Sequence, residues 1–210
     1  DVKMRSFNRD GSEGRMAGNS IRSVGKYVYD RGILPKTTLT VETASGVHTL
    51  TLYTRDGAVT LCGVTMGRAD FAAASLPALT DKVELVNTPI EVGGKSYTVT
   101  CLSVGNPHCV VFDDRIDALD LEVLGPQFEH APLFPERINT EFVRVVNRNM
   151  LKMRVYERGN GETPACGTGA CAAVAAAVRL GLCAADEDVT VKVRGGDLVV
   201  RVSAEGITLT

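Results

Sequence analysis

Period-two alternation of apolar and polar residues dominates the chain and predicts many strands and few helices. Residues 3–7 read as a short strand, followed by the turn residues Asn8-Arg9-Asp10-Gly11-Ser12. Residues 39–43 and 47–53 alternate across an Ala44-Ser45-Gly46 turn, and residues 58–66 follow Arg55-Asp56-Gly57 as a further strand. Residues 82–86, 90–92 and 95–104 predict another strand group, turning at Gly93-Gly94. Gly105-Asn106-Pro107-His108 interrupts it before residues 109–112 resume as a strand. Residues 139–146 and 151–156 form a hairpin across Asn147-Arg148-Asn149, and residues 189–193, 197–202 and 207–209 close the chain as a last strand set. Helical spacing occurs in three places. Residues 16–29 put Ile21, Val24, Tyr27 and Val28 on one side and stop at Gly32 and Pro35. Residues 116–128 read as a helix broken near Gly125-Pro126, within a connection placed between residues 113 and 135. Residues 170–178 are an Ala-rich helix former, with Arg179 near its end and Gly181 as its stop. Residues 69–79 fit neither period, and Pro77 argues against a long helix there.

The pattern occurs twice. Setting Cys166 on Ala17, an offset of 149, lays residues 153–158 on 4–9, Glu162 on Glu13, Gly167 on Gly18 and Gly181 on Gly32. After one inserted residue, Val191 falls on Val41, Gly196 on Gly46 and Val200 on Leu50. Each copy reads strand, Gly-containing loop, helix, Gly stop, strand pair, which points to duplication. The expected fold is α+β: two pseudo-symmetric lobes from an internal duplication, each a mixed β-sheet or barrel wrapped around a central helix. The lobes are expected at residues 1–115 and 116–210. Because Asp1 opens directly into strand-like sequence, the first lobe is expected to be incomplete at its start and the natural protein longer.

Composition narrows the function. A net charge of −2 gives no electrostatic reason to bind nucleic acid or an anionic membrane. The longest apolar run, residues 170–178, is far short of the ~20 residues of a membrane span. No signal peptide opens the sequence. Six cysteines are present, but none forms a Cys-x-x-Cys pair or a zinc-like group with histidine, so no metal is expected. They lie in apolar or strand-like segments, as thiols do in a reducing compartment, and the cytoplasm is the expected location. The expected partner is a small molecule; a homodimer is left open.

The helix at residue 167 carries the sharpest chemistry. Gly167-Thr168-Gly169 leaves backbone N–H groups free at the helix start, where the positive end of the helix dipole favours an anion. Cys166 stands at that mouth, so its thiol is expected to be acidified and to be the most readily alkylated in the protein. Glu157 ends a strand beside a glycine loop and is placed to orient or deprotonate a thiol. His108 follows Asn106-Pro107 between two apolar strands, an unusual sequence for a plain turn. His48 and His130 read as structural. Asn8, Asn19, Asn106 and Asn139 stand at element ends, where neutral amides suit a zwitterionic ligand, although turn formation explains each singly. Cys62, Cys101, Cys109, Cys171 and Cys183 read as core, Cys171 pointing away from the mouth.

Five segments together, Asn8-x-Asp10-Gly11-Ser12-Glu13, Gly18-Asn19-Ser20-x-Arg22, Gly105-Asn106-Pro107-His108, Arg137-Ile138-Asn139-Thr140-Glu141-Phe142 and Glu157-Arg158-Gly159…Ala165-Cys166-Gly167-Thr168-Gly169, resemble the diaminopimelate epimerase family, in order and over nearly the whole chain. The family's opening segment, with a further strand set and substrate-contacting Asn and Gln side chains, has no counterpart here. The resemblance implies a cofactor-independent epimerase that interconverts LL- and meso-diaminopimelate on the route to lysine and peptidoglycan. It implies two facing cysteines, one thiolate taking the α-proton and one thiol returning a proton on the opposite face. Cys166 matches one of them; the other falls on position 17, which is Ala17, so impaired activity is expected. By the same resemblance Glu157 supports Cys166 and His108 supports the absent partner. Asn8, Asn106, Asn139 and Arg158 hold or border the distal end of the substrate, and the mouths at Gly18-Asn19 and Gly167-Thr168 hold the reacting carboxylate. Elementary chemistry agrees: an amino-acid α-proton is weakly acidic, and two helix ends aimed at the carboxylate stabilise the charge that flows into it. Ser23 stands where many relatives carry Cys. Two alternatives remain open. One is a same-fold proline-racemase-like or phenazine-pathway isomerase, against which Arg137-Ile138-Asn139 and Glu157-Arg158 speak. The other is a non-catalytic amino-acid-binding relative.

Overall fold

The alternating segments form one long curled sheet around two helices in a computed structural model that describes residues 1–8, 11–15 and 17–210. The turn expected at Arg9-Asp10 and the helix start expected at Met16 lie outside the described residues. In chain order the elements are β1 (Val2–Lys3), β2 (Ser6–Phe7), β3 (Glu13–Gly14), α1 (Gly18–Asp30), β4 (Thr38–Thr43), β5 (Gly46–Arg55) and β6 (Ala58–Gly67). Then come β7 (Thr88–Val92), β8 (Lys95–Ser103), β9 (Pro107–Phe112), α2 (Leu121–Glu129), β10 (Asn139–Asn147), β11 (Met150–Glu157) and β12 (Gly161–Thr163). The last four are α3 (Gly167–Arg179), β13 (Asp188–Val193), β14 (Gly196–Ser203) and β15 (Gly206–Leu209). Short 3₁₀ turns occupy Ala73–Ser75 and Ile116–Ala118.

The sheet order is β1-β4-β5-β6-β15-β14-β13-β11-β10-β9-β8-β7, with β12 on β11. Its first eight strands are a palindrome of the two repeats, β1-β4-β5-β6 meeting β15-β14-β13-β11. Register repeats as well as order. Val2 lies opposite Val41 and Lys3 opposite Glu42, in parallel; Leu151 lies opposite Val191 and Lys152 opposite Lys192, also in parallel. Ser6 pairs Gly14 and Phe7 pairs Glu13, as Val155 pairs Thr163 and Tyr156 pairs Glu162. A bidentate Arg5–Glu13 contact, both bonds 3.0 Å, recurs as Arg154–Glu162 at 2.9 and 3.1 Å. Both helices have 13 residues and end alike, in front of Gly32 at φ 68° and Gly181 at φ 75°. Those glycines supply the left-handed turn that other side chains resist. The duplication read from the 149-residue offset is therefore present down to the hydrogen-bond register.

The two helices differ in what surrounds them. α3 is buried along its whole middle, Ala170 to Ala177, because β11 and β13–β15 of its own repeat and the β8–β10 group enclose it. Small alanines let backbones approach from every side. α1 packs on β5 and β6 and leaves Tyr27 58% exposed. A second apolar cluster lies between α2 and β7–β10, where Phe128 meets Tyr97 and Phe142 edge-on at centroid distances of 5.0 and 5.4 Å. No helix among the described residues is long and apolar enough to cross a membrane.

Four expectations change. The strand expected at 3–7 splits into β1 and β2, because the first residues pair with β4 and the next with β3. Residues 82–86 form no strand: Glu84 makes one bridge to Ala72, and Asn87 turns the chain at φ 47°. The interruption before residue 109 is shorter than expected, since β9 begins at Pro107 and His108 is a strand residue opposite Leu102 and Asn139. The helix of residues 116–128 breaks at Leu119-Asp120 and runs unbroken through Gly125-Pro126. Gly125 serves packing: a Cβ there would sit 2.2 Å from the Tyr156 ring.

Candidate active site

The site is where the two helices begin. Ala17 caps α1 with φ −139° and ψ 98°, and Cys166 caps α3 with φ −136° and ψ 112°, so the duplicated backbone presents two equivalent side-chain positions. The starts touch: a Cβ on Gly167 would lie 3.1 Å from Gly18 Cα, and a Cβ on either glycine would lie 2.9 Å from Leu209 Cδ2. Only glycine permits this approach. The first intrahelical bonds are Ile21 N–H to Ala17 and Ala170 N–H to Cys166. The N–H groups of Gly18, Asn19, Gly167 and Thr168 thus precede the helical ladder, and two positive helix ends converge. Cys166 Sγ accepts the Gly169 N–H at 3.3 Å; Ala17 offers no such cap.

A buried polar line runs into this mouth. His108 Nδ1 meets Glu141 Oε1 at 2.7 Å, and His108 Nε2 meets Asn106 Oδ1 at 2.9 Å. Asn106 Nδ2 donates to Thr168 Oγ1 at 3.2 Å, which lies 3.5 Å from Cys166 Sγ. Asn139 donates to the Pro107 carbonyl at 2.9 Å and accepts the Arg158 N–H at 2.8 Å, holding the loop that carries Glu157 and Arg158. Glu157 accepts the Thr163 hydroxyl and faces Cys166. Above them opens a cavity of about 640 Å³ whose walls include Asn8, Asn106, Asn139, Glu157, Arg158 and Arg137. Arg158 and Arg137 stand together there, and burial and its cationic neighbour pull the Arg158 guanidinium below its ordinary value. A pair of cations in a polar cleft fits a carboxylate.

The expected residues therefore assemble, with three particulars that the sequence did not show. Asn106 and Asn139 have protein partners at both ends of their amides, and Asn19 Oδ1 accepts from Arg22 at 2.7 Å, so these three hold the frame of the site. Cys166 is 7% exposed, and its thiol is pushed well up, not acidified. Burial is the main cause and the Glu157 and Glu141 charges add to it, outweighing the help of the Thr168 hydroxyl and Gly169 N–H. A helix mouth favours a thiolate only where burial and neighbouring carboxylates do not outweigh it. Glu157 is raised too, mainly by burial, so thiol and carboxyl are drawn toward a shared proton. Alkylation of Cys166 by iodoacetamide should accordingly climb about tenfold per pH unit from pH 7 to 9, in step with its thiolate fraction. A rate already level at pH 7 would refute the raised thiol. Sequence reading also passed over Glu141 and Glu129. Glu129 is buried and accepts the Gly159 N–H at 2.8 Å and Arg137 Nη1 at 3.2 Å. The signal for Glu141 was available: an acid two residues after Asn139 in an otherwise apolar strand shares its face. His48 bonds Ser45 and the Thr65 carbonyl within its own hairpin region, and His130 is exposed.

The chain as a whole matches known proteins. The family model for diaminopimelate epimerase matches residues 1–72 and 100–209. Diaminopimelate epimerase of Acetivibrio thermocellus is 50% identical over 200 residues, 95% of this chain and 71% of that protein. The enzyme of that name from Desulfovibrio desulfuricans is 49% identical over 204 residues, 94% of this chain and 70% of its own length. The chain thus spans about seven-tenths of such relatives. Among solved structures, a probable proline racemase from Agrobacterium radiobacter superposes with a TM-score of 0.73 at 16% identity, covering 99% of this chain and 67% of that one. A hydroxyproline epimerase from Agrobacterium vitis gives 0.74 at 15% identity, covering 99% and 66%. At such identities these two speak for the fold alone: two-lobed, mixed α and β, built by internal duplication. Half-identical relatives and a family model matched along most of the length decide the rest, and this chain belongs to the diaminopimelate epimerase family.

Proposed function

We propose that this chain is a diaminopimelate epimerase scaffold in which one of two proton-transfer groups is missing. The family interconverts LL- and meso-diaminopimelate, an isomerase reaction of lysine biosynthesis. The observation that carries the reading is the equivalence of Ala17 and Cys166: the same cap conformation at two abutting helix starts, with a thiol on one and a methyl on the other. The free N–H groups of both helices hold the α-carboxylate, and Arg158 with its loop receives the distal carboxylate. Cys166 passes its proton to Glu157 and, as a thiolate of raised basicity, takes the α-proton; negative charge flows into the carboxylate between the helix ends. Returning a proton from the opposite face requires the group that Ala17 lacks.

The test is incubation with LL- or meso-diaminopimelate in D₂O. Deuterium should enter the α-position of one stereoisomer without inversion, because Cys166 serves a single face. Rapid inversion would overturn the two-thiol account. Binding without any exchange would favour the non-catalytic amino-acid-binding alternative. In this reading the lobe around α3 also takes β8 and β9, which pack on α3, and β7, which pairs with β8, so we place the division near residue 68 and not at the expected 115/116. A cytoplasmic location is proposed from the six free, buried thiols. A homodimer is proposed through the outer face of β5–β6, where Tyr53 and Leu61 lie opposite each other, 51% and 58% exposed. Sedimentation at the monomer mass would remove that proposal.

A further inference from the structure

We propose that Glu141 is the positioning residue of His108: its carboxylate accepts from Nδ1 and so turns Nε2 toward the Asn106 side-chain amide. The proposal rests on the epimerase reading for its catalytic consequence, but its structural content stands on geometry alone. β9 and β10 are parallel neighbours, with His108 opposite Asn139 and Val110 opposite Glu141. Asn139 and Glu141 therefore share one face of β10, and both reach the site. The His108 and Glu141 side chains are fully buried, 0% exposed each, and 2.7 Å apart. An ionised carboxylate in such a place is strongly unfavourable unless a donor meets it. Glu141 Oε2 has no hydrogen-bond partner among the described residues, so the carboxylate's bonding is concentrated on Oε1 and His108 Nδ1.

The surroundings make room for this carboxylate and for little else. A Cβ on Gly169 would lie 2.7 Å from Glu141 Oε1 and 3.2 Å from Cys166 Sγ, so glycine at the third position of α3 admits acid and thiol side by side. The negative charge of Glu141 also opposes ionisation of Cys166 and of Glu157. A core polar pair would need no such route to the thiol. Here one carboxylate fixes the ring on one side and biases the thiol on the other, with Asn106 and Thr168 completing the circuit.

Nitrogen-detected NMR of the imidazole rings, on the unmodified chain and on Glu141→Gln, tests the geometric half. In the unmodified protein His108 Nδ1 should carry a slowly exchanging, strongly downfield proton, and that resonance should move upfield or vanish in Glu141→Gln. A bare Nδ1 in the unmodified chain, or an unchanged resonance in the variant, overturns the proposal. Iodoacetamide at fixed pH gives a second readout: removing the like charge should speed Cys166 alkylation about tenfold, where loosened packing would speed every buried thiol. Equal acceleration of Cys62 and Cys171 overturns the electrostatic part. In an Ala17→Cys background, Glu141→Gln should lower kcat for inversion by about ten- to a hundredfold, as loss of a histidine's outer partner does, with KM nearly unchanged. Unchanged kcat there would sink the catalytic consequence. If Ala17→Cys shows no inversion at all, the epimerase reading fails, and the ring spectra still decide the part of Glu141.

Discussion

Ala17→Cys is expected to raise the rate of diaminopimelate inversion by roughly 10²–10⁴-fold, the usual worth of one positioned acid or base. The gain could exceed that range, because two groups that act as a unit are not additive. Position 17 already has the required geometry: its φ and ψ match those of Cys166, and the Ser20 N–H stands where the Gly169 N–H caps the thiol of α3. No backbone change is needed to seat the new side chain, and Ala17 is only partly buried. The assay should be run in a chain extended by the family's opening segment as well as in this one, since the chain spans about seven-tenths of its relatives. Chiral chromatography of LL- and meso-diaminopimelate, with α-proton loss followed in D₂O, separates inversion from one-faced exchange. Failure of the extended Ala17→Cys chain to invert would turn the argument toward an amino-acid-binding protein.

How far the sequence revealed this site depends on which interaction places each part. Strand positions were legible because burial on one face writes period two directly, as in β4, where Leu39 and Val41 face inward. The duplication was legible because Gly32 and Gly181 are set by a local backbone need and Glu13 and Glu162 by one short-range ion pair, while Gly18 and Gly167 repeat because the two starts abut. What the sequence hid depends on long-range contact. The strand expected at 82–86 had the right residues but no neighbour to pair with along its length. Gly125-Pro126 looked like a helix end and is instead the floor on which Tyr156 lies, a contact between residues far apart in the chain. The thiol of Cys166 was misjudged for the same reason. Its helix mouth is local, whereas its burial, the main cause, and the charges of Glu157 and Glu141 come from strands far away in the chain or outside the helix.

The abutting glycines lead to the other large effect. Gly167→Ala is expected to destabilise the protein by about 1–3 kcal/mol, the range for an added methyl in a close-packed place. It should also reduce one-faced α-hydrogen exchange at least about a hundredfold, because displacements near 1 Å at a reacting centre have that consequence. Two contacts produce these effects, and they differ in kind. The new Cβ would meet Leu209 Cδ2 at 2.9 Å, the end of a side chain that is able to turn aside. It would also meet Gly18 Cα at 3.1 Å and Gly18 C at 3.4 Å, which are backbone and move only if α1 itself retreats. Relief of the first contact is therefore separable from relief of the second. The double variant Gly167→Ala/Leu209→Ala removes the side-chain clash yet leaves the helix starts pushed apart, so exchange should stay low whatever happens to stability. Thermal unfolding reads the stability, and deuterium incorporation at the α-carbon reads the alignment of the two helix ends. If exchange returned to its original rate in the double variant, contact with Leu209 would be the whole effect, and the close approach of the two helices would not be what holds the carboxylate.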